Sequence, residues 1–169
     1  MRRYIRKPHY YELDKMGIMH HSNIIRIMEE ARVDLLFQLG INIYEIEKVG
    51  IVSPVTKVQC DYISMISDSA EIVVEILIAK YTGILLELKY NIFEGTNNKQ
   101  YVSAQSQHCF LRKDSNEILE IQGFDKELDQ SIKYFMKNGY KKYTYTGVKK
   151  HAIILTVQER IEQSQLQRF

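Results

Sequence analysis

The hydrophobic positions along the chain change period once. Between residues 23 and 39, Ile24, Ile27, Met28, Ala31, Leu35 and Leu39 recur at the spacing of one helical face. Ile25, Leu36 and Phe37 widen that face, which predicts a helix wrapped by other elements and not laid on a surface. Ser22 or Asn23 is expected to cap its start and Gly40 to end it. From residue 51 the pattern becomes that of strands, at 52–63, 70–80, 84–93 and 100–111. Ser67-Asp68-Ser69, Thr82-Gly83 and Gly95-Thr96-Asn97-Asn98 separate them, and such short connections predict antiparallel neighbours. Ahead of the helix, residues 2–13 read as a further strand, carrying Tyr4, Ile5, Tyr10, Tyr11 and Leu13 but interrupted by Pro8. A strand, a long apolar helix and a meander of strands predict an α+β domain with one segregated helix. Residues 125–138 predict a weaker second helix with Leu128, Ile132, Phe135 and Met136 on its apolar side. Residues 1–138 form the expected domain and 139–169 a C-terminal extension.

Length and charge then narrow the function classes. A chain of 169 residues suits one compact domain with an appendage. Its net charge of +2, from 23 Lys and Arg against 21 Asp and Glu, argues against a nucleic-acid partner. The interleaved Tyr140, Lys141, Lys142, Tyr143, Tyr145, Lys149 and Lys150 read either as a tail with weak attraction to an anionic membrane surface or as an arm on a neighbouring subunit. Cys60 and Cys109 have no metal-ligand spacing and are expected to be buried and reduced, which places the protein in the cytoplasm. Neither a signal-peptide pattern nor an apolar run long enough to span a bilayer occurs. Motifs for dinucleotide, P-loop, zincin and α/β-hydrolase chemistry are absent, and no metal or other cofactor is expected.

One segment concentrates chemistry. It runs Tyr10-Tyr11-Glu12-Leu13-Asp14-Lys15-Met16-Gly17-Ile18-Met19-His20-His21-Ser22-Asn23 and continues to Glu29-Glu30-Ala31-Arg32. A carboxylate at a strand end, a glycine loop and the start of an apolar helix are brought together. The free N–H groups of a helix N-terminus carry positive potential and can hold an oxyanion.

Tyr10, Asp14, Gly17, His21, Asn23 and Glu30-Ala31-Arg32 together resemble the motif of hotdog-fold acyl-CoA thioesterases of the 4-hydroxybenzoyl-CoA thioesterase type, including the YbgC-like branch. The resemblance spans about residues 3–138. It implies a sheet of about five strands wrapped around the long helix, and hydrolysis of an acyl-CoA thioester to free acid and CoA. By that resemblance Asp14 is the catalytic carboxylate, acting as general base or nucleophile, and the His21 N–H polarises the thioester carbonyl. Gly17 lets the loop approach the substrate, and Tyr10 completes the catalytic set. The resemblance further implies that coenzyme A enters as part of the substrate and that the chain forms a homodimer or homotetramer with its active site between subunits.

Asn23 is expected either to cap the helix or to orient substrate, and Arg112 and Lys113 are expected to meet the CoA phosphates. Glu30 and Arg32 are read as structural, His20 as a spacer or surface residue, and His108 as a packed or surface histidine. Two other readings stay open. The domain is a non-catalytic acyl-CoA or acyl-carrier-protein binding module, or a dehydratase on the same fold that uses Asp14 and His21 as its acid and base.

Overall fold

The computed structural model describes residues 3–138. The strands are β1 (Tyr4–Arg6), β2 (Ile51–Val52), β3 (Val55–Tyr62), β4 (Ile72–Tyr81), β5 (Leu85–Glu94), β6 (Gln100–Cys109) and β7 (Leu111–Arg112). The helices are α1 (Ser22–Gln38), α2 (Ile43–Lys48), α3 (Ile121–Phe124) and α4 (Lys126–Asn138). Five strands form one antiparallel sheet in the order β1-β4-β5-β6-β3, and β2 pairs with β7 beside it. The expected α+β layout is the observed one. The extension at 139–169 lies outside the described residues.

Alternation along the strands sends one set of side chains to the helix and the other outward. Leu86, Leu88, Tyr90 and Ile92 of β5 are buried, as are Val102, Ala104, Ser106 and His108 of β6. Lys89, Asn91, Ser103 and Gln105, on the other face, are exposed. α1 closes the inner face with Ile24, Ile27, Met28, Ala31 and Leu35, all buried. Burying such side chains contributes roughly 1.5–3 kcal/mol for each large one. That outweighs a weak start, because no side chain of the N-cap residue His21 caps the helix. The expected stop at Gly40 is present: its φ is +82°, Gly40 N–H donates to Phe37 O at 3.0 Å and Ile41 N–H to Leu36 O at 2.9 Å. The apolar face is wider than one chain covers, since Ile25 and Phe37 stay exposed.

Several boundaries differ from the expected ones. The strand expected at 2–13 ends at Arg6, and residues Tyr10–Glu12 form a 3₁₀ turn. Pro8 has no N–H to give a ladder, and Glu12 rewards the turn: its carboxylate accepts the His9 N–H at 2.8 Å while its own N–H donates to His9 O at 2.9 Å. The strand expected at 52–63 breaks at Ser53-Pro54 into β2 and β3, and that at 100–111 into β6 and β7. α2, capped by Asn42, and α3 carry too short a periodicity to be read. α4 buries Leu128, Ile132 and Phe135 but leaves Met136 exposed. Cys60 and Cys109 are free thiols, half-buried and not fully buried: Cys60 lies on β3, the last strand of the sheet order, and Cys109 alternates with buried His108 along β6. Among the described residues no helix is long and apolar enough to cross a membrane.

Candidate active site

The loop between the 3₁₀ turn and α1 folds back on itself. Asp14 N–H donates to Ile18 O at 2.8 Å, Leu13 bridges Met19, and His20 N–H donates to Glu12 O at 2.8 Å. Residues 12–14 therefore run antiparallel to 18–20, with Asp14 opposite Ile18 and Glu12 opposite His20, in the segment that leads into α1. Asp14 does not end a strand, as the sequence suggested, but opens this tight loop. Its Oδ1 accepts the Met16 N–H at 2.7 Å and, more weakly, the Ile18 N–H at 3.5 Å. Gly17 supplies the φ of +71° that the reversal needs, and its N–H donates to Asp14 O at 3.0 Å. Met19 N–H, bonded to Ile66 O at 2.8 Å, fastens the loop to the β3–β4 connection.

The helix start is built from the histidines. His20 Nδ1 accepts from the Ser22 hydroxyl at 2.8 Å and from the Ser22 N–H at 3.4 Å. His20, read as a spacer, thus does the capping work assigned to Ser22 or Asn23. Asn23 is buried, and its amide donates to Glu12 O at 2.9 Å. It positions the loop and does not cap the helix. The His21 N–H has no hydrogen-bond partner among the described residues, so it is open to a ligand. The His21 ring packs against His20 at 4.1 Å and edge-on to Tyr62 at 6.3 Å, between ring centroids. Tyr62 also donates to His21 O at 3.2 Å.

Three expected members lie elsewhere. Tyr10 is 92 % exposed with no hydrogen bond to Asp14, because the 3₁₀ turn points its ring outward. Arg112 and Lys113 follow β6 past His108, the end that pairs with Val55, whereas His21 touches Tyr62 at the other end of β3. Within one chain they do not meet Asp14. Arg112 instead stacks over Phe124, 5.5 Å from the ring centre.

Three charged residues support the loop and α1, and of these only Glu12 escaped the sequence reading. Glu12 is buried and pairs with Arg6, so it locks the 3₁₀ turn against β1. Its signal was the His9–Glu12 spacing, which satisfies a capping box without Ser or Thr. Glu30 is structural, as expected, but joins α1 to β1 through Tyr4 at 2.7 Å and Arg6 at 3.0 Å. Arg32 is buried and bound to Glu29, an (i, i+3) pair visible in the sequence. His108 is packed, at 1 % exposure, and burial together with the nearby Arg32 charge pushes its imidazole down to about 4. Among the described residues no group of His, Cys, Asp or Glu could hold a metal ion.

The arrangement offers an open N–H at a helix N-terminus and, in the loop that leads into it, a carboxylate held in place by the backbone. Comparison with known proteins agrees. The sequence matches the Thioesterase superfamily over residues 16–100. The provisionally named acyl-CoA thioesterase YneP of Bacillus subtilis is 31% identical over 106 residues, 63% of this chain and 76% of that one. The 1,4-dihydroxy-2-naphthoyl-CoA hydrolase of Thermosynechococcus vestitus is 25% identical over 113 residues, 66% of this chain and 77% of that one. In structure, the DHNA-CoA thioesterase of Staphylococcus aureus superposes with a TM-score of 0.76 at 24% identity, covering 80% of this chain and 91% of that one. The expected hotdog fold is the observed fold. On its fold, its loop–helix geometry and its sequence, the chain belongs to the thioesterase superfamily.

Proposed function

We propose that the protein hydrolyses acyl-CoA thioesters with Asp14 as its catalytic carboxylate. The observation that carries this reading is that one loop–helix segment holds both a pinned carboxylate and an open helix N–H. Asp14 Oδ1 is held by the Met16 N–H, which leaves Oδ2 for substrate or water. The thioester carbonyl oxygen accepts the His21 N–H at the positive end of α1, where charge developing on that oxygen is stabilised. Asp14 then takes a proton from water as the water oxygen bonds to the carbonyl carbon, or adds to that carbon itself. The tetrahedral species collapses, the C–S bond breaks, and CoA leaves as the thiolate; where Asp14 itself has added, water then hydrolyses the mixed anhydride, releasing the free acid and restoring the carboxylate. The chain's own groups suffice for this chemistry, with no metal or further cofactor.

The assembly that supports this reading is a homodimer joined along β3. Among the described residues that strand pairs only with β6, so its other edge carries backbone groups that no described strand meets, and Val55, Tyr62, Ile63 and Met65 around it are exposed. Antiparallel pairing of two β3 edges sets one copy's Val55 end beside the other's Tyr62 end. Arg112 and Lys113 of one copy then approach the Asp14 loop of the other, where cations suit the CoA phosphates. The distance within one chain is the reason these residues need a second copy.

The test is thiol release from short, long and aromatic acyl-CoAs, with products identified. Free acid and CoA from at least one of them supports hydrolysis. An enoyl product without thiol release, or tight binding without turnover, contradicts it and favours the dehydratase or the binding module. Acyl-enzyme trapping in single turnover separates nucleophile from general base.

A further inference from the structure

The His21 N–H stands at a helix start with little of its own to hold it still. No side chain of the N-cap residue caps α1, and helix ends fray. A donor that meets developing charge is effective only if its direction is fixed before the reaction begins. Bonds from both edges of the sheet converge on this turn.

In the order β1-β4-β5-β6-β3 the outermost strands are β1 and β3. From the β1 edge, Arg6 pairs with the buried Glu12 carboxylate, and Glu12 O receives the His20 N–H at 2.8 Å and the Asn23 amide at 2.9 Å. From the β3 edge comes Tyr62. Its hydroxyl donates to His21 O at 3.2 Å, and its ring stands edge-on to the His21 ring, at 89° between planes. The two attachments bracket one residue. The His20 N–H before it and the His21 O after it are both occupied, and the His21 N–H between them is open.

Tyr62 is the last residue of β3 and is 52 % exposed. At such a site water replaces a lost partner, so the bond adds little to stability. Its effect on direction is larger. His21 O also accepts the Ile24 N–H at 3.2 Å, but that bond lies within the first turn and moves with it. The Tyr62 bond joins residues 41 apart in sequence and ties the turn to the sheet. Burial, with the neighbouring Cys60 thiol, pushes the Tyr62 phenol above its ordinary range, so it keeps the proton it donates.

We propose that Tyr62 is a positioning residue for catalysis: its hydroxyl, acting through His21 O, holds the His21 N–H on the thioester carbonyl oxygen. The inference rests on the thioesterase reading above. Tyr62 touches no reacting atom in this account. Without the hydroxyl, acyl-CoA binds as before, but the donor swings off the line to the oxygen. The cost falls on the transition state, where charge on that oxygen is largest.

The test begins with Y62F, which removes the hydroxyl and keeps the ring against His21. Its kcat for thiol release is expected to fall about tenfold, with KM, thermal midpoint and oligomeric state unchanged. Y62L, which loses the ring as well, falls at least as far. A direct signature is the C=O stretch of an acyl-CoA isotope-labelled at the thioester carbonyl and bound to D14N. The His21 N–H lowers that frequency below its value in free acyl-CoA, and in D14N/Y62F part of the lowering is lost. A wild-type kcat or an unmoved stretch in the Y62F background overturns the inference. A raised KM at unchanged kcat overturns it too, by making Tyr62 a substrate contact, and so does a fall in kcat that only tracks a fall in thermal midpoint. Each of these leaves hydrolysis intact. Thiol release by wild type from no acyl-CoA at all overturns the thioesterase reading and this inference with it.

Discussion

The Asn23 side-chain amide donates to the Glu12 carbonyl over 2.9 Å, and the same oxygen receives the His20 N–H at 2.8 Å. These two bonds fix where the Asp14 loop leaves the 3₁₀ turn and where it re-enters at α1. Asn23 is thus a positioning residue for the carboxylate it never touches. In Asn23→Ala the oxygen keeps His20, so stability falls by only about 1 kcal/mol. The loop loses its register against the helix, and kcat falls roughly tenfold or more under conditions where the variant is fully folded. Urea unfolding and kcat measured on one preparation check both parts.

Gly17 is needed for its backbone and not for space. Its φ is +71°, and a Cβ added there meets nothing within 4 Å. Gly17→Ala is therefore expected to cost about 1–2 kcal/mol through conformation alone, and to slow turnover by shifting Asp14. Unchanged stability and unchanged kcat would mean that the loop adopts another turn at no cost.

His108 makes stability fall in mild acid. In the unfolded chain it protonates near 6.5, whereas in the fold burial and Arg32 hold it neutral down to about 4. Between those values the unfolded state binds more protons, so stability drops as pH falls from about 6.5 towards 4. The loss is on the order of 3 kcal/mol across that window. Glu29 acts with the same sign lower down: burial raises its carboxyl, but the Arg32 hydrogen bonds and charge outweigh that and lower it. Denaturant midpoints at several pH values should give a steep slope for wild type and a flatter one for His108→Leu.

Tyr81 and Asp129 hold α4 on the sheet. The Tyr81 hydroxyl donates to buried Asp129 Oδ1 at 3.0 Å, and Lys133 donates to Oδ2 at 2.8 Å. Tyr81→Phe leaves one oxygen of a buried carboxylate short of a donor and is expected to cost about 1–3 kcal/mol. Thiol release should be unchanged, because α4 packs on β4, away from the Asp14 loop. A parallel loss of activity would tie α4 to catalysis.

The sequence made the long elements legible and the short ones not. α1 and β4 to β6 carry enough period for hydrophobic spacing to define them, and Gly40 announced the helix end. The segment at 2–13 misled because Tyr and Ile favour strands locally, while Pro8 and the Glu12 cap decide the backbone there. In the site, Asp14, Gly17 and His21 were readable as a spacing. The capping by His20 and the anchoring by Asn23 were not, because both depend on bonds made after the loop folds back. Arg112 and Lys113 could not be placed, since sequence proximity to a strand end says nothing about which end of the sheet faces Asp14.

The central claim is that Asp14 carries the chemistry at the helix N-terminus. Asp14→Asn tests it cleanly, because the amide oxygen can still accept the Met16 N–H that the carboxylate accepts at 2.7 Å, so the loop keeps its shape. The decisive measurement is kcat for thiol release from the best acyl-CoA substrate, wild type beside Asp14→Asn, with both proteins shown to be folded. A fall of at least about 100-fold at unchanged thermal stability is the expected result. A rate within a few-fold of wild type would contradict the account.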